Sequence, residues 1–478
     1  MDSFARLDHR FVWHPFTQMK DWLKREPIVI AEGHGAVLKD TRGRKYLDAN
    51  SSIWTNLHGH NHPHLNRAIG LQLRKIAHSS ALGLANEPAA LLASRLIKAA
   101  NPFTHAKPKG GAPLAKVFFS DDGSTAMEVA LKLAYEVARR EGNPRPRFLS
   151  VDRAYHGDTV GAVSLGHIDL FYKAYSGLLF PTDKVPAPYC YRCPYNRAKP
   201  ERADARTYRK CDEECLDGLE RAFSRQRKQG KPYAAFVFEP LMQGAAGMIA
   251  QPEGWLRKAT TIARSFAAPL IADEVMTGFG RSGCGSRATK AIRSPHLFAC
   301  HQEEVRPDYL ALAKGMTGGY LPMAATLTTQ KVFNAFLGEH SEFKTFFHGH
   351  SYTANQLGAA ASLASLDLLQ TPASIRSRFD LERTLETELQ SLWTLPEVGD
   401  IRRVGLMAGV ELVKNWRTRA PFDPLERAGA RVCETMAKLG VLTRPIGNVI
   451  VIMPPYCTTR DQVAKIIAAL RKAITAFK

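Results

Sequence analysis

Apolar positions along this chain fall into two patterns that alternate through its middle. Val117-Phe118-Phe119, Arg147 to Val151, Ala235 to Phe238, Pro269 to Ala272 and Tyr309 to Ala313 are short apolar runs of strand length. Continuous runs of this kind suit strands buried on both faces, and so a largely parallel sheet covered by helices. After the first run, Met127, Ala130, Ala134 and Val137 recur at helical spacing and predict a helix from about Thr125 with its apolar side on the sheet. Beyond about Phe346 the pattern changes. It predicts helices over 356–369 and 375–392, strands near Ile401 and over 407–412, a helix over 425–439, a strand over 449–453 and a final helix over 460–476. The whole reads as α/β: a large domain over 67–345, a smaller α+β domain over 346–478, and an N-terminal segment, 1–66, packing with the smaller domain. There is no internal repeat and no low-complexity stretch.

Two of the predicted strands end on residues of complementary chemistry. The run ending at Ala272 delivers Asp273, and the run ending at Ala313 delivers Lys314. A lysine held among apolar neighbours has a lowered pKa and becomes nucleophilic. A lysine that attacks a carbonyl, with an acid facing a ring nitrogen, is the pair a pyridoxal phosphate enzyme needs. Either residue alone would read as a surface lysine or an ordinary strand-end aspartate.

Ser120 to Glu128 follows a strand and opens a helix, and its free amides, glycine and hydroxyls form a cradle for a phosphate. The same residues also read as a plain capped helix with Ser124 as N-cap. Tyr155-His156-Gly157 follows another strand, where an aromatic ring can stack on a planar cofactor or simply edge the core. Gly278 to Gly283 matches G-x-G-x-x-G without the strand–turn–helix context of a dinucleotide site, and reads as an active-site loop. His58, His60, His62 and His64 alternate in a Gly/Asn/Pro turn with no carboxylate beside them in sequence, and read as structural.

Composition adds limits. With 478 residues, 45% hydrophobic and 23% charged, the chain holds a large core. No apolar run is long enough to span a membrane, and the start carries no signal pattern, so a cytoplasmic protein is expected. The formal charge of +20 is scattered rather than striped, and is read as attraction for anionic small molecules, not nucleic acid. Cys190, Cys193, Cys211 and Cys215 form two close pairs that could hold zinc or stand as free thiols. The chemistry above needs no metal, and none is assigned.

Together these motifs resemble the class III (ornithine-type) pyridoxal phosphate aminotransferases over nearly the whole chain. The resemblance implies fold-type I, with a mostly parallel seven-stranded sheet, and a homodimer with shared active sites. It also implies Lys314 as the cofactor's attachment point and proton carrier, and Asp273 as partner of the pyridinium nitrogen. Val275 and Tyr155 would pack on the ring faces beside His156, with Glu239 supporting the network. Gly123 and Ser124 would hold the phosphate, completed by Gly349, His350 and Ser351 of the second subunit.

Trp13 to Met19, Gly315 to Pro322, Arg444 to Asn448 and Met453 to Tyr456 narrow the resemblance to the branch that acts in biotin synthesis on 8-amino-7-oxononanoate. There Arg444 would clamp the substrate carboxylate, with Trp54 as an apolar wall and Phe16, where tyrosine is frequent, as a substrate residue that cannot donate a hydrogen bond. Ile53, Phe16 and the 348–356 segment depart from the commonest pattern and, with Lys75 to Ser79, look like members that take the amino group from lysine rather than S-adenosylmethionine. Met276 stands where ornithine-type relatives carry glutamine, against ornithine or 4-aminobutyrate as substrate. The competing readings are another class III ω-aminotransferase and, more remotely, a non-catalytic metal-holding regulator.

Overall fold

In a computed structural model, which describes residues 2–102, 111–144, 146–283 and 296–477, one sheet organises the molecule. Its seven strands, in chain order, are β1 (Leu114–Ser120), β2 (Arg147–Val151), β3 (Asp183–Val185), β4 (Tyr233–Phe238), β5 (Leu270–Asp273), β6 (Tyr309–Leu312) and β7 (Ala324–Thr329). In space they run β1-β7-β6-β5-β4-β2-β3. Only β7 is antiparallel to its neighbours, so the mostly parallel seven-stranded sheet is present. Every residue of β4, β5 and β6 is buried, as helices on both faces require. Burying a side chain such as Phe236 or Phe238 contributes about 1.5–3 kcal/mol.

Two strands of this sheet lie outside the expected runs. β3 has only three residues and begins Asp-Lys. β7, apart from Leu327, is built of small and hydroxylated residues that are nonetheless buried. Its hydroxyls donate to backbone carbonyls, Thr326 to Ala126 at 2.7 Å and Thr328 to Asp308 at 3.1 Å, which removes the cost of burying them.

The C-terminal part is α+β. Strands Val398–Val404, Met407–Asn415, Val449–Ile452 and Pro445–Ile446 form an antiparallel sheet covered by helices Pro372–Gln390, Ala428–Lys438 and Arg460–Thr475. The helix expected over 425–439 starts later, at Ala428, because Asp423 caps a separate turn at Pro424–Glu426 and Arg427 is left-handed, with φ +53°. An unanticipated N-terminal sheet, Ile30–His34, Val37–Asp40 and Lys45–Asp48, is extended in parallel by Val441–Leu442.

The basic stretch around residues 192–210 is not a free patch. Arg192 pairs with Glu411, Arg197 with Asp212 and Glu214, and Arg206 with Asp204. Arg202 donates to the carbonyls of Trp393, Leu395 and Val398. Its charge docks the segment on the C-terminal sheet. No helix among the described residues is long and apolar enough to cross a membrane.

Candidate active site

The carboxyl ends of three adjacent parallel strands point their next residues into one cavity of about 500 Å³: Glu239 after β4, Asp273 at the end of β5 and Lys314 just past β6. Ligand crevices of open α/β sheets lie at this end. Strand β6 stops at Leu312, and Lys314 opens a short turn, Lys314–Thr317, with φ +43°. This backbone turn, rather than the strand itself, aims the ammonium into the cavity. Burial lowers the Lys314 pKa, against the pull of Asp273, Glu239 and Asp158. Its Nζ lies 4.9 Å from the centre of the Trp54 ring. A desolvated ammonium that gives up its proton readily is a nucleophile.

Asp273 is buried and pre-oriented. Its Oδ1 accepts the Val275 amide at 3.0 Å, and its Oδ2 lies 2.8 Å from Nδ1 of the fully buried His156. Glu239 accepts the amides of Tyr155 at 3.3 Å and Gly244 at 2.8 Å. Burial pushes its carboxyl up to about 7; Asp273 adds to the rise and His156 opposes it. Glu274, which holds the amides of Ala299 and Cys300, is likewise pushed by burial to about 7.

A carboxyl that titrates near 7 when folded and near 4.5 when unfolded keeps an extra proton in the folded state between those values. Its stabilising contribution is therefore complete below about pH 4.5 and lost as pH rises through 7. The melting temperature of the cofactor-free protein is expected to fall from pH 5 to pH 8, each group contributing at most a few kcal/mol. Glu239→Gln should flatten part of that slope, and an unchanged slope in calorimetric scans counts against the raised carboxyl.

Facing these groups is the start of the helix Gly123–Arg140. Its N-cap is Asp122, not Ser124: the Asp122 carboxylate accepts the Thr125 amide at 2.9 Å and the Thr125 hydroxyl returns the contact. The alternative of a Ser124 cap is thus corrected, and Ser124 is left free for another task. Its Oγ accepts the Asp158 amide at 3.1 Å, beside the cavity. Glycine is required at 123, where a Cβ would stand 2.7 Å from the Val275 side chain. It is required at 157 too, with φ +122° and Ser124 Cα 2.7 Å from where a Cβ would lie. Open amides at the end of a long helix suit a phosphate dianion. The cradle, the buried carboxylate and the desolvated lysine together fit pyridoxal phosphate.

The remaining wall is apolar. Trp54, half-buried, packs with Met276 in a cluster that includes Met242, Met453 and Ile446. Gly244 leaves the room that the Met276 sulfur fills. On the other side Tyr155, its hydroxyl donated to Asp158 at 2.7 Å, stands 5.9 Å from Phe171, which stands 5.1 Å from the exposed Phe16. Gly244 and Phe171 were not singled out from sequence, and Met276 was read there only as a departure from ornithine-type relatives, not as part of this wall.

Of the residues singled out, Trp54, Gly123, Ser124, Tyr155, His156, Glu239, Asp273, Val275 and Lys314 line the cavity. Phe16, Gly349, His350, Ser351 and Arg444 do not. His350 Nδ1 lies 3.4 Å from Asp121, on the cavity rim, and Arg444 is exposed on the stretch leading to Pro445–Ile446.

Other motifs resolve structurally. His60 does have a carboxylate, Asp48, at 2.9 Å, and buried His58, pushed by burial to about 3, bonds Ser365. In the glycine-rich loop Arg281 is buried and donates to the carbonyls of Pro454 and Asn56, with Thr277 in the cavity wall. The loops around Cys190 and Cys211 are joined by Asn196, and burial raises the Cys190 and Cys215 thiols to about 12 and 11. Among the described residues no group of three or more His, Cys, Asp or Glu is arranged to hold a metal.

The sequence profile described as "Aminotransferase class-III" matches residues 19–474. The adenosylmethionine-8-amino-7-oxononanoate aminotransferase of Geobacter sulfurreducens is 46% identical over 468 residues, 98% of this chain and 96% of that protein. The crystal structure of the enzyme of the same name from Methanocaldococcus jannaschii superposes with a TM-score of 0.87 at 37% identity, covering 99% of this chain and 98% of that one. An amine transaminase from an uncultivated Pseudomonas species, solved in its PLP-bound form, gives 0.85 at 31% identity, covering 98% and 99%.

Proposed function

The chain belongs to the class-III aminotransferase family, and on that premise we propose that it converts 8-amino-7-oxononanoate to 7,8-diaminononanoate in biotin biosynthesis, with pyridoxal phosphate as cofactor. The observation that carries the reading is the convergence of Lys314, Asp273 and the open helix start at Gly123 on one cavity. Pyridoxal phosphate supplies an aldehyde for an amine to condense with and a ring that accepts the electron pair left on the donor carbon. Lys314 is the attachment point and, once free, the base that takes a proton from the donor carbon and returns it at the far side of the transfer. Asp273, fixed by His156 and the Val275 amide, keeps a proton on the ring nitrogen, and Gly123 and Ser124 hold the phosphate. Val275 and Tyr155 confine the ring, and Glu239 braces the loop from Gly244.

On the substrate side, Trp54 and its methionine neighbours form the apolar wall needed by the acceptor's methylenes between ketone and carboxylate, and Arg444 takes the carboxylate. We place the protein in the cytoplasm as a homodimer. Two facts support shared sites: Gly349, His350 and Ser351 stand outside their own chain's cavity, and Phe347, Tyr352, Leu82 and Leu84 are exposed.

The test is product formation from 8-amino-7-oxononanoate with lysine or S-adenosylmethionine as the single donor. The departures at Phe16 and Ile53 lead us to expect conversion with lysine. Conversion by S-adenosylmethionine alone overturns that expectation, and activity only with unrelated oxo acids overturns the substrate. Arg444→Ala should lower kcat/KM for the oxononanoate by about 100-fold, as loss of a bidentate charged contact implies, and leave the donor half-reaction nearly unchanged. Equal losses in both halves would remove Arg444 from the carboxylate site.

A further inference from the structure

Ser51, Ser52, Ile53 and Trp54 lie consecutively in the left-handed region, with φ of +47°, +47°, +63° and +68°. None is glycine, and Ile53 is β-branched. In L residues this conformation crowds Cβ against the next carbonyl, so single residues visit it while runs do not form by local preference. Such a turn persists only where its surroundings over-determine it.

Asp48 is the centre of those surroundings. Its buried carboxylate accepts four donors: the amides of Asn50 at 3.2 Å and Ser52 at 3.1 Å on Oδ1, and the Ser52 hydroxyl and His60 Nε2, both at 2.9 Å, on Oδ2. Asn56 fixes the opposite side of His60, donating to Nδ1 at 3.2 Å. Ser51 Oγ anchors the start of the turn to the Met453 carbonyl at 2.7 Å. Its end rests on Gly319, where a Cβ would stand 2.6 Å from the Thr55 carbonyl carbon. What the turn presents is Trp54, in the cavity wall, 4.9 Å from Lys314 Nζ, with its indole N–H buried and unpartnered.

We propose that Asp48 is a positioning residue for amino transfer: it clamps the left-handed turn Ser51–Trp54 and thereby holds the Trp54 ring between Lys314 and the acceptor's tail. The claim rests on reading the cavity as an aminotransferase site. Asp48 itself lies outside the cavity lining and acts only through Trp54.

The experiment is a double-mutant cycle on holoenzyme with Asp48→Asn and Trp54→Ala. Asp48→Asn should raise KM for 8-amino-7-oxononanoate by about 10- to 100-fold, the scale of a misplaced side chain, with kcat for the donor half-reaction changed less than about threefold. In the Trp54→Ala background the same change should add almost nothing. Fully additive losses would overturn the proposal. Adding Ile53→Gly to Asp48→Asn should recover much of the KM, because glycine holds a left-handed φ without a clamp. That variant also serves if Asp48→Asn alone folds poorly, and no recovery from it counts against the clamp. If the wild type does not turn over the oxononanoate, the functional reading fails but the clamp does not. The near-UV circular dichroism contributed by Trp54 should still change in Asp48→Asn and show no change in the Trp54→Ala background; an unaltered Trp54 signal refutes it.

Discussion

Lys314→Ala is expected to leave a folded protein with at least about 10⁴-fold less transamination, because the residue is both attachment point and proton carrier and, among the described residues, no other lysine lines the cavity. The fold should survive. The side chain removed is a desolvated ammonium whose pKa burial already lowers, so its loss takes away an unfavourable buried charge as well as the contact with Trp54. Thermal melting of the cofactor-free variant should therefore lie within a few degrees of the wild type. Turnover within about 100-fold of the wild type would mean that Lys314 is not the base.

Asp273→Asn is expected to cost about 10³-fold in both half-reactions. Asparagine can accept the Val275 amide as Asp273 Oδ1 does at 3.0 Å, but it supplies no negative charge opposite the ring nitrogen. It also replaces the carboxylate oxygen 2.8 Å from Nδ1 of fully buried His156 with an amide NH₂, which removes the acceptor for a protonated Nδ1. That lowers stability by about 1–3 kcal/mol. The symmetry of the kinetic loss separates this anion from Arg444, whose removal touches the acceptor half alone. Half-reaction rates followed separately for each donor and acceptor decide it, and an effect confined to one half would sink the assignment.

These expectations were readable because β4, β5 and β6 are buried on both faces, so their apolar runs stand out and the next polar residue is delivered to the cavity. Glu239, Asp273 and Lys314 follow from that rule. β7 was not readable, since Ala-Ala-Thr-Leu-Thr-Thr is half threonine and suits burial only after the hydroxyls find carbonyls. The edge strand β3 is too short to carry a pattern. Local capping chemistry misled at Ser124, where both Asp122 and Ser124 are good caps and only the backbone decides between them. Nothing within Ser-Ser-Ile-Trp itself favours the left-handed turn at 51–54, which is imposed by Asp48 just upstream together with His60 and the distant Met453. Gly349 to Ser351 and Arg444 entered by resemblance, and the geometry of one chain leaves them outside its own cavity.

The parallel pairing of Lys45–Asp48 with Val441–Leu442 has a consequence for how the protein is made. During synthesis the early strand leaves the ribosome roughly 400 residues, or tens of seconds, before its neighbour exists. Throughout that interval one edge of the nascent hairpin stays open, and the Ser51 hydroxyl lacks its Met453 acceptor. The wall carrying Trp54 is thus completed only once Met453 has been made, so a chain cut between Lys314 and Met453 has its lysine but no finished pocket around it.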